Sequence, residues 1–179
     1  SAPSMVLIDE AYHHYVDSPD YESVAPLVKD HPRLIVARTF SKIYGLAGAR
    51  LGYAIAQPPV IGRLAAQAAF DTVNIFAVAA GRASLADAAW AADGKRRNAS
   101  TRAHVVSELG KRGYSVIPSQ ANFIMFETRK PVKPLIAALK ERGVEVGRLF
   151  PALPTHLRVT IGRPDDMERF LSAFAAVVA

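Results

Sequence analysis

The chain has 179 residues, 50% of them hydrophobic and 21% charged, with no cysteine. That composition suits one or two compact units with real cores and excludes disordered and fibrous chains, disulfides, thiolate metal sites and a cysteine nucleophile. The formal charge of +6 invites a polyanionic partner. However, the densest basic group, Lys95, Arg96, Arg97 and Arg102, follows an alanine-rich stretch and has no interleaved aromatics, so a solvated helix face is expected and no nucleic-acid partner.

The first four residues, Ser1-Ala2-Pro3-Ser4, have neither a basic nor an apolar leader character and read as a cut end. Residues 5–8 form a short apolar run ending in Asp9-Glu10, the pattern of a buried parallel strand whose carboxyl end presents polar groups. Residues 34–37 repeat it, and between the two runs Val24, Leu27 and Val28 have helical spacing. A third strand is predicted over 51–56, ending at Gln57-Pro58-Pro59. Residues 60–113 read as helical, with a break predicted at Asp93-Gly94. Within that stretch the most apolar window, 75–92, is interrupted by Arg82 and Asp87, so no membrane span is expected.

Beyond Gly113 the rhythm predicts strands over 114–117 and 122–126, a helix over 135–142 closed by Gly143, strands over 144–146 and 157–161, and a helix over 167–178. Asp165 and Asp166 suit the first turn of that last helix. The fold class is therefore α/β: residues 1–80 as part of a larger domain with a mainly parallel sheet and helices, then 81–179 as a linker helix and a small α+β domain. Three strands apolar enough to need cover on both faces are few for such a sheet, so the first domain is expected to be incomplete.

The chemistry concentrates in Thr39-Phe40-Ser41-Lys42, followed by Gly45, Gly48, Arg50 and Gly52. The glycine spacing fits neither a dinucleotide fingerprint nor a phosphate-binding loop of the Walker type. A lysine at a strand end in a partly desolvated site is a nucleophile able to form a Schiff base, and the Thr39 and Ser41 hydroxyls with the Arg50 guanidinium make a phosphate cradle. Together they suggest pyridoxal 5′-phosphate. Asp9 at its own strand end would keep the pyridine nitrogen protonated, and Tyr12 lies close enough in sequence to reach the ring's O3′. Asp9/His13 and Glu10/His14 are four apart and would share helix faces as metal ligands, but they follow a strand and no H-E-x-x-H occurs, so no metal site is expected. His31, His104 and His156 are expected at the surface, and Tyr15, Tyr21 and Trp90 are expected to pack.

With these residues in view, the chain resembles the fold-type I pyridoxal-phosphate enzymes, in their histidinol-phosphate aminotransferase-like branch. The resemblance is carried by Asp9-Glu10-Ala11-Tyr12, Thr39-Phe40-Ser41-Lys42, Gly45-Leu46-Ala47-Gly48-Ala49-Arg50-Leu51-Gly52-Tyr53, Ala121-Asn122-Phe123 and Leu157-Arg158-Val159-Thr160-Ile161-Gly162. It implies that Lys42 is the Schiff-base lysine and proton shuttle, that Asp9 pairs with the pyridinium, that Tyr12 contacts O3′, and that Thr39, Ser41 and Arg50 hold the phosphate. It further implies that Arg158 binds the acidic group of an amino-acid or amino-phosphate substrate, the acceptor being a 2-oxo acid. Arg148, in a segment Val146-Gly147-Arg148-Leu149-Phe150-Pro151 that departs from the family's arginine spacing, is a second candidate because it follows a neighbouring predicted strand. These 179 residues correspond to the second half of such an enzyme. The N-terminal half is therefore an expected partner, along with a second copy in a homodimer, and a cytoplasmic location is expected. Two alternatives stand beside amino transfer: a decarboxylase of the threonine-phosphate type using the same lysine, and a non-catalytic binding module.

Overall fold

The protein is described here by a computed structural model covering residues 4–69 and 72–178. The cut end predicted at residues 1–3, and residues 70 and 71 of the long helical stretch, lie outside the described residues. Two compact units result, Ser1–Lys95 and Arg96–Ala179. The division falls inside a helix.

In the first unit β1 (Val6–Asp9) pairs in parallel with β2 (Leu34–Thr39), which pairs antiparallel with β3 (Gly52–Ile55). The central strand is the buried one: Leu34, Ile35 and Val36 are enclosed, and Val28, from the 3₁₀ turn Ala25–Lys29, packs with Leu34 and Val36. β1 is apolar yet exposed along its whole length, with Leu7 at 62%. The register aligns Asp9 with Ala37, and the Glu10 N–H donates to the Ala37 carbonyl at 2.8 Å. The carboxyl ends of β1 and β2 therefore lie side by side, which is where polar groups in a parallel pair can converge.

The helical stretch comprises α1 (Pro58–Ala65), α2 (Ile75–Ala86) and α3 (Ala88–Lys111). Pro58 and Pro59 occupy the first turn of α1, where a missing N–H costs nothing, and Asn74 caps α2 by accepting from the Phe76 N–H at 2.8 Å. The break predicted at Asp93-Gly94 does not occur; α3 runs through it, and the stretch is interrupted instead between α1 and α2 and again at Asp87. Gly94 lowers helix propensity by only about 1 kcal/mol, while Asp87 accepts from the Trp90 N–H and so starts a new helix.

The second unit has a far larger core. β4 (Val116–Ile117), β5 (Phe123–Glu127) and β6 (His156–Thr160) form an antiparallel sheet, covered by α4 (Val132–Glu141) and α5 (Pro164–Val178). Ile124 and Phe126 of β5, Leu157 and Val159 of β6, Val105 and Leu109 of α3, and Phe170 and Phe174 of α5 are all enclosed. Phe126 meets Phe174 edge to face, with centroids 5.2 Å apart and planes at 90°; burying each such ring contributes about 1.5–3 kcal/mol. Gly113 and Gly143, at φ +78° and +74°, close α3 and α4 in the left-handed conformation a side chain disfavours. Asp165 and Asp166 do lie in the first turn of α5.

Residues 144–146, expected as a strand, are not one. Val144 N–H is spent on the Leu139 carbonyl in the turn after α4, and one backbone hydrogen bond, Gly147 N–H to Arg158 O at 2.9 Å, joins the segment to β6. The basic group at the α3 midpoint also departs from a solvated face. Arg96 and Arg97 are exposed, but Lys95 donates to the Val16 carbonyl and pairs with Asp17, both at 2.7 Å. Arg102 is buried and donates to the Gln120 and Ala121 carbonyls. Trp90, expected to pack, is 52% exposed, and Tyr21 is likewise exposed, whereas Tyr15 is buried. His104 lies at the surface against Glu168 and His31 is exposed, while His156 is half-buried. No helix among the described residues is long and apolar enough to cross a membrane.

Candidate active site

Two loops leave the adjacent carboxyl ends of β1 and β2. The first turns at once: the Ala11 N–H donates to Asp9 Oδ1 at 2.9 Å, and residues His13–Tyr15 make one 3₁₀ turn. Asp9 itself is exposed, with its second carboxylate oxygen left for another partner. The second loop folds back on the sheet, with the Phe40 N–H donating to Leu51 O and the Leu46 N–H to Phe40 O. Gly45 adopts φ +69° to make the reversal possible.

Inside that reversal lie the three residues expected to hold a phosphate. Thr39 Oγ1 accepts from the Ser41 N–H at 3.0 Å, and Arg50 Nη1 lies 3.5 Å from Ser41 Oγ while donating to Ala47 O at 2.8 Å. Arg50 sits at φ +55°, an uncommon left-handed conformation that aims its side chain back across the loop. The Ser41 hydroxyl and the Arg50 guanidinium thus approach one another, groups chemically suited to a phosphate, while the neighbouring Thr39 hydroxyl donates to the Leu51 carbonyl at 3.4 Å. Lys42 is half-buried, and its Nζ lies 5.3 Å from the centre of the Tyr12 ring. The first unit therefore brings together Lys42 with Tyr12, and Thr39 with Ser41 and Arg50; Asp9 stands three residues before Tyr12 on the same turn.

Beneath these loops lies a buried ion pair that the residue-by-residue reading passed over. Arg38 donates through Nε to Glu10 Oε2 at 2.9 Å and through Nη2 to Ser23 Oγ at 2.7 Å, with Nη2 also 2.8 Å from Oε2; the Ser23 hydroxyl lies 2.9 Å from both Glu10 oxygens, and the Val24 N–H donates to Oε1 at 2.8 Å. Burial raises the Glu10 pKa, but the hydrogen bonds from Arg38, Val24 and Ser23 and the Arg38 charge outweigh it and hold the carboxyl below its ordinary value. The legible signal was an arginine at the end of the apolar run 34–37. His13 and His14 turn to phenols and not to a shared helix face: His13 Nδ1 is 3.1 Å from Tyr21 Oη, and His14 Nε2 is 3.3 Å from Tyr44 Oη.

The second unit presents the other predicted pair. Leu157 and Val159 enter the core, so strand alternation sends Arg158 to the opposite face, where Phe123 of β5 also points. The Arg158 guanidinium stacks 4.0 Å over Phe123 and lies 5.9 Å from Phe150, and Arg148 lies 5.0 Å from the same Phe150 ring. Arg158 Nε is buried without a hydrogen-bond partner. A Cβ on Gly147 would fall 2.9–3.0 Å from the Arg158 carbonyl oxygen, Cβ and Cγ, so only glycine lets the backbone approach this closely. The two arginines share one aromatic ring, Phe150, and neither Phe123 nor Phe150 had been assigned a role beside them from sequence.

Residues 2–174 match the family model for aminotransferase class I and II. The chain is 39% identical over 176 residues to a histidinol-phosphate aminotransferase of Symbiobacterium thermophilum, covering 98% of this chain and 48% of that relative. It is 37% identical over 179 residues to one of Anaeromyxobacter, covering 98% and 49%. Among solved structures, the histidinol-phosphate aminotransferase of Sinorhizobium meliloti in complex with pyridoxal-5′-phosphate aligns with a TM-score of 0.89 at 26% identity, over 97% of this chain and 48% of that one. The chain thus spans about half the length of the curated relatives it matches. With the α/β fold and the lysine loop described, the chain belongs to the aminotransferase class I and II family.

Proposed function

We propose that this chain is the lysine-bearing half of a pyridoxal-phosphate-dependent aminotransferase of the histidinol-phosphate type, moving an amino group from an anionic amino acid or amino phosphate to a 2-oxo acid. The observation that carries this reading is the half-buried Lys42 in the loop where the Arg50 guanidinium approaches the Ser41 hydroxyl and Thr39 accepts from the Ser41 N–H. Bound pyridoxal phosphate supplies an electron sink for the pair released when a bond to the substrate Cα breaks.

This chain's residues would do the rest. Thr39, Ser41 and Arg50 bind the phosphate and fix the cofactor's position. The free oxygen of Asp9 holds the proton on the pyridine nitrogen, and the Tyr12 hydroxyl orients O3′. The Lys42 amine would hold the cofactor and would take up and return a proton at the substrate Cα, as base and then acid. Arg158, with Arg148, receives the substrate's carboxylate or phosphate; the fixed guanidinium fork suits bidentate binding. The relatives' length supports an N-terminal half as the principal partner, and a second copy of the enzyme as a further one.

To test the reading, the chain is incubated with pyridoxal phosphate, reduced with borohydride and mapped by mass spectrometry. A pyridoxyl adduct on Lys42, lost in Lys42→Ala, is expected. Equal labelling of the Lys42→Ala protein, or labelling spread over surface lysines alone, would overturn the assignment.

A further inference from the structure

The two loops that carry Tyr12 and Lys42 meet at a second contact which no part of the proposed chemistry uses. His14, two residues after Tyr12, has Nε2 3.3 Å from the hydroxyl of Tyr44, two residues after Lys42. The rings stand edge to face with centroids 5.2 Å apart. Each partner is anchored from behind. His14 packs edge to face on His13 at 4.9 Å, and His13 is bonded to Tyr21. Tyr44 leans on the buried Phe40 at 5.2 Å, and Phe40 in turn on Tyr53 at 5.8 Å. Below them the Glu10–Arg38 pair locks the strand ends from which both loops spring. Burial, then the neighbouring His13 and the Arg38 charge, keep the His14 imidazole below its ordinary pKa and hence neutral, able to share a hydrogen bond with a phenol.

We propose that His14 and Tyr44 are positioning residues: their hydrogen bond ties the two loops together and thereby holds the Lys42 amine over the Tyr12 ring. The lysine has no strand or helix of its own. Between Phe40 and Leu46 its loop is fixed before Lys42 by the Ser41 contacts to Thr39 and Arg50, and after it by the turn bond from Gly45 N–H to Lys42 O, by the closing bond from Leu46 N–H to Phe40 O, and by whatever Tyr44 and Ile43 hold. Ile43 is buried and faces inward. Tyr44 is therefore the handle by which the neighbouring loop can steer Lys42, and His14 is what grips it. A side chain four bonds long samples many rotamers, so fixing both ends of the Tyr12–Lys42 approach lowers the entropy lost when the amine must react at one place. The inference rests on the reading of Lys42 as the reactive lysine, but the tie itself is measurable without the cofactor.

The experiment compares the unaltered chain with Tyr44→Phe, His14→Phe, the double variant and His14→Gln, whose amide nitrogen reaches the position of Nε2. Thermal midpoints report folding. One arm acetylates each protein with a limiting active ester at fixed pH and reads, by mass spectrometry, the rate at Lys42 relative to exposed Lys29. Losing a hydrogen bond of ordinary strength should raise that ratio about threefold to tenfold in Tyr44→Phe and in His14→Phe, as the amine swings out to water. The double variant should do no more than the larger single effect, because one contact is being removed twice, and His14→Gln should stay within about twofold of the unaltered chain. A second arm measures borohydride-trapped pyridoxal phosphate on Lys42, which should fall in the same variants. Unchanged ratios in both single variants, a double effect equal to their product, or a Gln variant indistinguishable from Phe would each overturn the tie. If the acetylation arm behaves as expected and the unaltered chain captures no pyridoxal phosphate on Lys42, the tie stands and the cofactor reading falls. If capture occurs and neither arm responds to the variants, the reverse holds.

Discussion

Lys42 illustrates how little a residue's type says without its surroundings: the same ammonium on an open helix would be a solvated surface charge. Half-burial over Tyr12 and a loop closed by Gly45 make it a candidate nucleophile. At this scale Asp9→Asn should retain cofactor but slow turnover sharply in the complete enzyme, because a neutral amide cannot hold the ring nitrogen protonated; unchanged turnover would remove Asp9 from the mechanism. Gly147→Ala makes a sharper test of the second unit. Its methyl would overlap Arg158 at 2.9–3.0 Å, costing about 1–3 kcal/mol and shifting the guanidinium. A lowered melting temperature together with a raised KM for anionic amino donors is expected, and a wild-type KM would show that Arg158 does not set substrate affinity.

Between elements, the Glu10–Arg38 pair bonds the β1 end to the β2 end and to the chain at Ser23 and Val24. Removing one partner leaves a buried charge uncompensated, so Arg38→Met should cost about 3–5 kcal/mol, read from the urea midpoint. The pH dependence follows from two groups of opposite charge type. Glu10 has a folded pKa below its unfolded 4.5, so its contribution is present above 4.5 and lost as pH falls through the folded value. His13 and His14 have folded pKa values below 6.5, chiefly through burial, with Arg38 and Lys95 adding to it at His13 and Arg38 at His14, while Glu10 opposes it at both. The unfolded state then binds more protons just below pH 6.5, and stability must rise as pH increases through that window. A urea midpoint that climbs from pH 5 to 7, with the climb reduced in His14→Gln, is the expected result. Gly94 offers a test of opposite sign: an added Cβ meets Ile43 Cδ1 at 3.5 Å and the Ile43 carbonyl oxygen at 4.0 Å, both ordinary contacts. Gly94→Ala should therefore stabilise α3 by about 0.5–1 kcal/mol, seen as a higher thermal midpoint.

The whole molecule is unevenly finished. The Arg96–Ala179 unit has a closed core of phenylalanine, leucine and valine, whereas the sheet of the Ser1–Lys95 unit ends in β1 with Met5, Val6, Leu7 and Ile8 all exposed. Apolar hollows flank that strand, one lined by Val6, Ile8, Leu27 and Leu34, the other by Met5, Ile35, Val60 and Leu64. An unpaired apolar strand edge is a template for another strand and a liability in water. On the proposed reading the N-terminal half of the enzyme covers it, so the chain alone should self-associate and fail to turn over, and adding that half should yield a defined complex with transamination. Sustained transamination by a monodisperse monomer of these 179 residues would sink the half-enzyme proposal.

From sequence alone, the three strands of the first unit and the left-handed turn at Gly143 were legible, because each depends on local pattern: apolar runs and a glycine after a helix. Family membership was legible for the same reason, since its motifs lie in short contiguous segments. The continuity of α3 through Gly94, the failure of residues 144–146 to pair as a strand, and the exposure of Trp90 were not, for these depend on what lies across the fold and not on neighbours in the chain. The Glu10–Arg38 pair spans 28 residues, Arg158 meets Phe123 across 35, and His14 meets Tyr44 across 30. Burial, charge pairing and ring stacking at such separations follow from strand register and loop reversal, which only the packed backbone fixes.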